Sequence, residues 1–261
     1  MITAITPTGD RPLAMELCQK WMLHQTVKPG QWIVVDDGKT PIEPTAAMEY
    51  VRREPRAGDP KHTLAINLLQ AIPLIKGDKI LIIEDDEYYA PAYVEEMASH
   101  LDGSKIAGIT QNRYYHLPTG GYYMMHNKGH ASLAQTAFTS AFIPTFRAAV
   151  EASMFVDFLD IRMWRMAKQS LNRQVKFGSR ALTTRSRDNH PLQKGEITLF
   201  SDSDRPLYVG IKGLPGRNGI GMGHNPGMYL NRDTGGRPVL KQWMPDNYQT
   251  YMNLADVLGQ V

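Results

Sequence analysis

Four acidic residues, Glu-Asp-Asp-Glu at positions 84–87, follow directly on four apolar residues, Ile-Leu-Ile-Ile at positions 80–83. The apolar run is typical of a strand that is buried on both faces. Unpartnered carboxylates are costly to bury, so these four must lie at a strand end that a positively charged partner reaches. Because hard divalent cations take carboxylate oxygens, the pattern indicates a cation that carries phosphate groups. The alternative is the acidic first turn of a helix, since Pro91 follows soon afterwards.

Two further predicted strands also end in residues that could bind a ligand. The strand at residues 2–6 runs into residues 7–11 (Pro-Thr-Gly-Asp-Arg), and the strand at residues 31–35 runs into residues 36–38 (Asp-Asp-Gly). In an open α/β sheet the carboxyl ends of neighbouring strands line one crevice, where ligands bind. An acidic pair there can accept hydrogen bonds from a ribose or a base edge. The three strand ends together contain the parts needed to bind an activated nucleotide.

Strands and helices alternate along the chain as far as residue 110. The predicted strands lie at residues 2–6, 31–35, 79–83 and 106–110. The predicted helices begin at residue 12, at about residue 61 and at residue 91. This order predicts an α/β fold in which helices cover both faces of a mostly parallel central sheet.

The pattern is less regular beyond residue 110. Residues 111–129 are rich in Tyr, His and Gly and predict a hairpin or irregular structure. A short strand and a helix are predicted within residues 142–154, and a longer helix at about 156–170. About ninety residues rich in Gly, Pro and Arg follow. They predict an irregular C-terminal segment that covers the same single domain.

Composition excludes several classes of protein. The chain has 261 residues, of which 42% are apolar and 21% charged, which is ordinary for a globular domain. A single cysteine, Cys18, excludes an intrachain disulfide and a zinc site built from cysteines. The sequence has neither a run of eighteen apolar residues nor the features of a signal peptide. We therefore expect a cytoplasmic protein without a membrane span.

Positive charge is concentrated in residues 161–200, which contain nine Lys and Arg residues and only two acidic residues, Asp188 and Glu196. A block of one sign indicates an acidic partner, such as phosphate or nucleic acid. The alternative is a solvated helix face followed by a loop.

The three strand ends, in this order, resemble the family 2 glycosyltransferases, which have the GT-A fold and bind nucleotide-diphospho-sugars. The resemblance rests on residues 5–11 (ITPTGDR), 32–38 (WIVVDDG) and 80–87 (ILIIEDDE), and it covers roughly residues 2–165. It implies that residues 1–110 bind the nucleotide-sugar and that residues 111–200 bind the acceptor and provide catalysis. Residues 201–261 would then be a C-terminal lid or covering segment of the same domain.

The resemblance also implies the residues that contact the nucleotide. Residues of the first strand end would line it, and one carboxylate of the second strand end would reach the base or the ribose. A polar pair precedes the acidic stretch, and two arginines in the basic block would suit phosphate. The nucleotide-binding candidates are Thr6, Pro7, Thr8, Arg11, Asp36, Asp37, Thr63, Asn67, Asp85, Arg185 and Arg187.

For the cation, the resemblance identifies residues 84–86 as the counterpart of an Asp-x-Asp motif that binds Mn²⁺ or Mg²⁺. Asp86 is the predicted ligand, and Glu84 stands in the place of the first Asp with an arm one methylene longer. That longer arm allows Glu84 to bind directly or through water. The family often adds a late histidine, for which His190 and His224 are the candidates.

The catalytic base of the family normally lies at the start of a late helix. Asp157 is our first choice for this role and Asp160 the second. The alternative for Asp157 is a helix N-cap. The base would take the proton of the acceptor while positive groups stabilise the departing nucleotide diphosphate.

The predicted function is metal-dependent transfer of a sugar from a nucleotide-diphospho-sugar to an acceptor hydroxyl, with inversion. The acceptor could be a saccharide, a protein, a small molecule or a modified base in DNA; the basic block favours a polyanion. The other hypotheses are a non-catalytic module that binds nucleotide-sugar or nucleic acid, and a nucleotidyltransferase.

Overall fold

In the computed structural model, residues 1–155, 158–178, 196–202, 206–219 and 221–258 are described. They form two β-sheets with helices packed around them. The acidic stretch at residues 84–87 lies where the chain passes from the first sheet to the second.

The first sheet is built mainly from parallel strands. Its strands are β1 (Ile2–Thr8), β2 (Gln31–Asp36), β3 (Glu49–Arg52), β4 (Lys79–Ile82), β6 (Ile106–Ile109), β9 (Thr136–Thr139) and β10 (Ile197–Phe200). Their order across the sheet is β10-β6-β9-β4-β1-β2-β3. Only β9 among these strands is antiparallel to its neighbours, β4 and β6.

The second sheet is smaller and mostly antiparallel. Its strands are β5 (Glu87–Tyr89), β7 (Gln111–His116), β8 (Gly121–His126), β11 (Tyr208–Lys212) and β12 (Asn231–Arg232), in the order β12-β8-β7-β11-β5. Strand β11 pairs with β5 on one side and with β7 on the other. The segment after residue 200 therefore supplies an inner strand of this sheet.

Helices pack on both faces of the first sheet and against the second sheet. They are α1 (Pro12–Leu23), α2 (Leu64–Ala71), α3 (Tyr93–Ser99), α4 (Ile143–Glu151), α5 (Leu159–Gly178), α6 (Pro238–Trp243) and α7 (Tyr248–Leu258). Successive strand residues point to opposite faces, so Ala4 and Val34 join one core while Ile5 and Ile33 join the other. The first core contains α1, α3 and α7, and the second contains α2, α4 and α5.

The α/β class and the mostly parallel sheet with helices on both faces are confirmed. The segment rich in tyrosine is the hairpin of β7 and β8. Strands β3 and β9 were not predicted, because each has only four residues and shows no clear alternation of polar and apolar side chains. Within the described residues, no helix has the length and hydropathy needed to cross a membrane.

The C-terminal segment has more regular structure than its composition indicates. Besides β11, it contains α6 and α7, and α7 buries Tyr251 against Trp21 of α1. The indole Nε1 of Trp21 donates a hydrogen bond of 2.8 Å to the Tyr251 hydroxyl. These contacts attach the end of the described chain to helix α1.

Candidate active site

A cavity of about 700 Å³ opens between the carboxyl ends of the first-sheet strands and one face of the second sheet. The acidic stretch at residues 84–87 forms part of its wall. The loops after β1 and β2 lie on one side of this stretch, and strands β7 and β11 lie on the other. The start of α5 and residues 213–224 complete the wall.

Asp85 ties the first strand end to the acidic stretch. Its Oδ2 accepts a hydrogen bond of 2.6 Å from the Thr8 hydroxyl, and its Oδ1 accepts one of 2.8 Å from Arg11 Nη1. Burial raises the pKa of Asp85, and the Arg11 charge opposes that shift. Both carboxylate oxygens are thus engaged in positioning Thr8 and Arg11.

Asp86 lies in the middle of a group of basic side chains. Its Oδ2 is 3.5 Å from Arg11 Nη1, 3.5 Å from Lys212 Nζ and 3.8 Å from His224 Nε2. Burial would raise the pKa of Asp86, but the positive charges of Lys212 and Arg11 outweigh it and hold this pKa at about 2. Asp86 is therefore ionised throughout the physiological range.

Glu84, Asp86 and Glu87 form a cluster of three carboxylates in which one oxygen of each lies within 4.8 Å of the others. Burial and the Asp86 charge raise the pKa of Glu84 to about 7. Burial likewise raises the pKa of Glu87 to about 8, although this carboxylate accepts hydrogen bonds from Lys212 Nζ and from the Ile211 amide. These raised values arise first from burial, and the charges of the neighbouring carboxylates add to it.

This cluster fits a divalent cation. With the four carboxylates of residues 84–87 ionised, Arg11 and Lys212 leave an excess of negative charge that a divalent ion would balance. His224 can add a nitrogen ligand, because burial and the Lys212 charge lower its pKa to about 4 and keep the imidazole neutral. Both carboxylate oxygens of Glu87 already accept hydrogen bonds, so Glu84, Asp86 and His224 are the residues that could hold Mn²⁺ or Mg²⁺.

On the opposite side of the β1 strand end, polar side chains bond to one another. We call Thr8, Asp37, Thr63, Asn67 and Arg217 the nucleotide side of the cavity, which they all line. Asp37 accepts hydrogen bonds from Arg53 Nη2 at 2.5 Å and from Arg217 Nη1 at 2.9 Å. Although burial opposes the shift, hydrogen bonds from Thr63 and Arg53 lower the pKa of Asp37. This carboxylate is held ionised and fixed in place.

Thr6 and Asp36 lie behind the cavity wall, unlike the other candidates of the first two strand ends. Thr6 is fully buried, and its hydroxyl accepts a hydrogen bond of 2.9 Å from Trp32 Nε1. Asp36 is also fully buried and accepts hydrogen bonds from the Gly38 and Ile42 amides and from the Tyr50 hydroxyl. Of the acidic pair, Asp37 is the residue that faces the cavity, together with Pro7 from the first strand end.

Arg217 lies over the other residues of the nucleotide side. The sequence did not identify it. Its Nη1 donates to Thr63 Oγ1 at 2.9 Å and its Nη2 donates to Asp10 Oδ2 at 3.0 Å. The loop that carries it approaches Asp10 so closely that a Cβ at Gly216 would lie 2.4 Å from the Asp10 carbonyl oxygen. Gly216 also has a φ of +121°, so glycine is required there. The only sequence signal for this loop was its content of Gly and Pro.

The second sheet presents alternate residues to the cavity. Asn112 and Tyr114 of β7 and Tyr208 and Lys212 of β11 line it, and we call these four residues the second-sheet wall. Glu87 of β5 is on the same face, because Gly210 pairs with both Glu87 and Tyr114. Lys212 was not predicted, since a lysine at the end of a short strand has no local feature that indicates a site.

The remaining wall carries Asp160, in the first turn of α5. Its Oδ1 accepts a hydrogen bond of 2.8 Å from the Ile161 amide, and burial raises its pKa. Phe155 and Phe158 lie beside it at the cavity wall and are 79% and 47% exposed. A carboxylate of raised pKa at the edge of an apolar opening can act as a general base. Asp157, Arg185, Arg187 and His190 lie outside the described residues.

Comparison with known proteins identifies the family and the fold. The model of glycosyl transferase family 2 matches residues 3–175. No curated protein matches the sequence. Among solved structures, S. aureus TarS 1–349 in complex with UDP-GlcNAc is 14% identical with a TM-score of 0.51, and the match covers 98% of this chain and 66% of that one. This chain thus spans just under two thirds of that structure.

A second solved structure that matches this chain is a nucleotidyl transferase from Methanothermobacter thermautotroptrophicus. It is 18% identical with a TM-score of 0.42, and the match covers 65% of this chain and 83% of that one.

Proposed function

The chain belongs to glycosyl transferase family 2, and on that premise we propose that it moves a sugar from a nucleotide-diphospho-sugar to an acceptor hydroxyl. The proposal includes dependence on a divalent cation and inversion at the sugar. The observation that carries it is the cluster of three carboxylates, Glu84, Asp86 and Glu87, at the wall of a cavity of about 700 Å³. Such a site suits a cation and the diphosphate that it accompanies.

The donor would extend across the cavity. Its nucleoside would lie against the nucleotide side, where Asp37 is fixed as a hydrogen-bond acceptor by Arg53 and Arg217. Its diphosphate would lie at Asp86, where Arg11 and Lys212 place two positive charges. The TarS structure contains UDP-GlcNAc, which makes this compound the first donor to test.

Glu84, Asp86 and His224 would hold the divalent cation, which supplies positive charge to the departing diphosphate. Lys212 contributes to the same stabilisation from a fixed position, since its ammonium bonds to Glu87 and is only 5% exposed. Because the ammonium of Lys212 is already buried and held in place, it loses little solvation at the moment of reaction.

Asp160 would accept the proton of the attacking hydroxyl. Burial raises the pKa of this carboxyl and thereby makes its ionised form a stronger base. The hydroxyl oxygen forms the new bond to the anomeric carbon as the bond to the diphosphate breaks, and this single displacement inverts the anomeric centre. Asp157 remains the predicted base from the sequence.

For the acceptor, we propose a polyanion, and a modified base in DNA is the first to test. Helix α5 begins at the cavity mouth and carries Arg162, Arg165 and Lys168. The exposed Phe155 and Phe158 at that mouth could stack on an unpaired base. Retention on duplex DNA that falls as salt rises supports this acceptor, whereas a lack of retention at low salt excludes it.

The proposed function is tested by incubating the protein with Mn²⁺ and a panel of UDP-GlcNAc, UDP-glucose and GDP-mannose. Sugar transfer, or slow hydrolysis of one donor with release of the nucleoside diphosphate, is expected. Binding of a donor without either reaction would indicate a binding module instead. Release of pyrophosphate from a nucleoside triphosphate would indicate a nucleotidyltransferase.

A further inference from the structure

Asn112 of β7 has a buried side-chain amide that is not hydrogen-bonded. The residue is 0% exposed and forms part of the cavity wall. Among the residues that the structure describes, neither its Oδ1 nor its Nδ2 has a hydrogen-bond partner. Leaving a buried amide without hydrogen-bond partners is costly, so such groups are rare in folded proteins. A group that enters the cavity can supply the partners.

The other buried asparagine of this cavity is different. Asn67 is 2% exposed, and its Oδ1 accepts a hydrogen bond of 2.7 Å from Arg53 Nε. Its Nδ2 donates to the Thr8 carbonyl at 3.5 Å. The amide of Asn67 is therefore used within the protein, whereas that of Asn112 is available to a ligand.

The position of Asn112 determines which part of the donor it can contact. It lies in the second sheet, across the acidic stretch from Asp37 and the rest of the nucleotide side. Glu87 is two strands away and two residues along the same face, through the pairs of Gly210 with Glu87 and with Tyr114. With strand spacings of about 4.8 Å and rises of about 3.3 Å per residue, their Cα atoms are about 12 Å apart. That is beyond direct cation ligation and within the length of a sugar attached to a diphosphate.

We propose, on the premise of the proposed function, that Asn112 recognises hydroxyl groups of the donor sugar. An amide offers two N–H donors and a carbonyl acceptor, which match hydroxyl groups that both donate and accept. Its cross-strand neighbour Met125 also lines the cavity. Methionine side chains are flexible, and a movement of Met125 would uncover the amide to the sugar.

The test replaces the amide by an apolar group of similar size, Asn112→Leu, and by a smaller one, Asn112→Ala. Asn253→Leu is the matched control, because Asn253 is exposed on α7, away from the cavity. Isothermal titration in Mn²⁺ gives the Kd of UDP, UDP-GlcNAc and UDP-glucose, and of GDP and GDP-mannose. Thermal unfolding without ligand gives the Tm of each variant.

We expect both Asn112 variants to weaken the binding of the sugar-nucleotide by about tenfold or more, as loss of one or two hydrogen bonds would. The Kd of the matching nucleoside diphosphate should change by less than about twofold. The Tm of Asn112→Leu should not fall, because the amide has no partner to lose. This pair of results separates recognition of a sugar from a structural role.

Equal loss of affinity for the nucleoside diphosphate and the sugar-nucleotide would overturn the inference, as would unchanged affinity for both. A marked fall in Tm for Asn112→Leu and Asn112→Ala, with ligand affinity kept, would assign the amide a structural partner. If the wild-type protein binds no sugar-nucleotide of the panel, the proposed function fails first and the inference fails with it.

Discussion

The nucleotide side and the second-sheet wall each contain a buried asparagine, and the two asparagines are used in opposite ways. On the nucleotide side, Asp37, Thr63 and Asn67 are all bonded to arginines of the same protein. On the second-sheet wall, the Asn112 amide has no such partner among the described residues. The first arrangement presents a fixed surface, which suits the nucleoside of the donor. The second leaves hydrogen-bonding groups free for a ligand, which suits the sugar of the donor.

The largest expected effect lies outside both regions, at the proposed base. Asp160→Asn removes the proton acceptor but keeps the size of the side chain, so we expect kcat to fall about 10²–10⁴-fold. Donor binding should remain, because the proposed contacts to the donor do not include Asp160. The measurement is the rate of sugar transfer at saturating donor.

Asp256→Asn, at an exposed position on α7, is the control for that substitution. Full activity of Asp160→Asn would contradict the assignment and would leave Asp157 as the candidate base.

The next largest effect is expected at Asp86, between the nucleotide side and the second-sheet wall. Asp86→Ala removes the carboxylate that Arg11, Lys212 and His224 surround, and we expect kcat to fall about 10²-fold or more. Stimulation of turnover by Mn²⁺ should be lost in the same variant. Asp102→Ala, a surface carboxylate paired with Lys79, is the control. Turnover by Asp86→Ala that still responds to Mn²⁺ as in the wild type would rule out Asp86 as a ligand.

The comparison itself predicts opposite effects on stability for two similar substitutions. Asn67→Leu breaks the hydrogen bond to Arg53 and should lower the free energy of unfolding by about 1–3 kcal/mol. Asn112→Leu should leave it unchanged or raise it, because an unsatisfied amide is replaced by an apolar group. Urea denaturation of both variants measures the two values. Equal losses would show that the two regions do not differ in this way.

The smallest expected effect is at Arg217, which is 30% exposed. Arg217→Ala removes its bonds to Asp10 and Asp37, and partly exposed ion pairs contribute about 0.2–1 kcal/mol. We therefore expect the KM for the donor to rise a few-fold while kcat is kept. Arg147→Ala, on α4 with a side chain that is 44% exposed, is the control. A fall in kcat with an unchanged KM would indicate that Arg217 takes part in the chemical step.

The sequence predicts those parts of this molecule whose structure is determined by residues close to one another in the chain. The acidic stretch, the loops after β1 and β2, and the alternation of the first strands and helices are all visible as local patterns. Asp36 and Asp37 show the limit, because the pattern identifies the acidic pair but not which member faces the cavity. The backbone amides of Gly38 and Ile42 donate hydrogen bonds to the Asp36 carboxylate, and this arrangement is visible only in the folded loop.

The contributions of Lys212 and Asn112 depend on contacts between residues far apart in the chain. Lys212 reaches Glu87 across 125 positions, because β11 pairs with β5. Asn112 faces the cavity because β7 pairs with β11 in one particular register. A change of register by one residue would point these side chains to the other face. Local sequence patterns cannot specify that pairing.

The most direct test of the account is donor turnover before and after removal of divalent cations. The protein is incubated with the donor panel in Mn²⁺, and release of the nucleoside diphosphate is followed before and after addition of EDTA. The account predicts release that stops with EDTA and returns when excess Mn²⁺ is added. Release that continues unchanged in EDTA would contradict the proposed cation site at Glu84, Asp86 and His224.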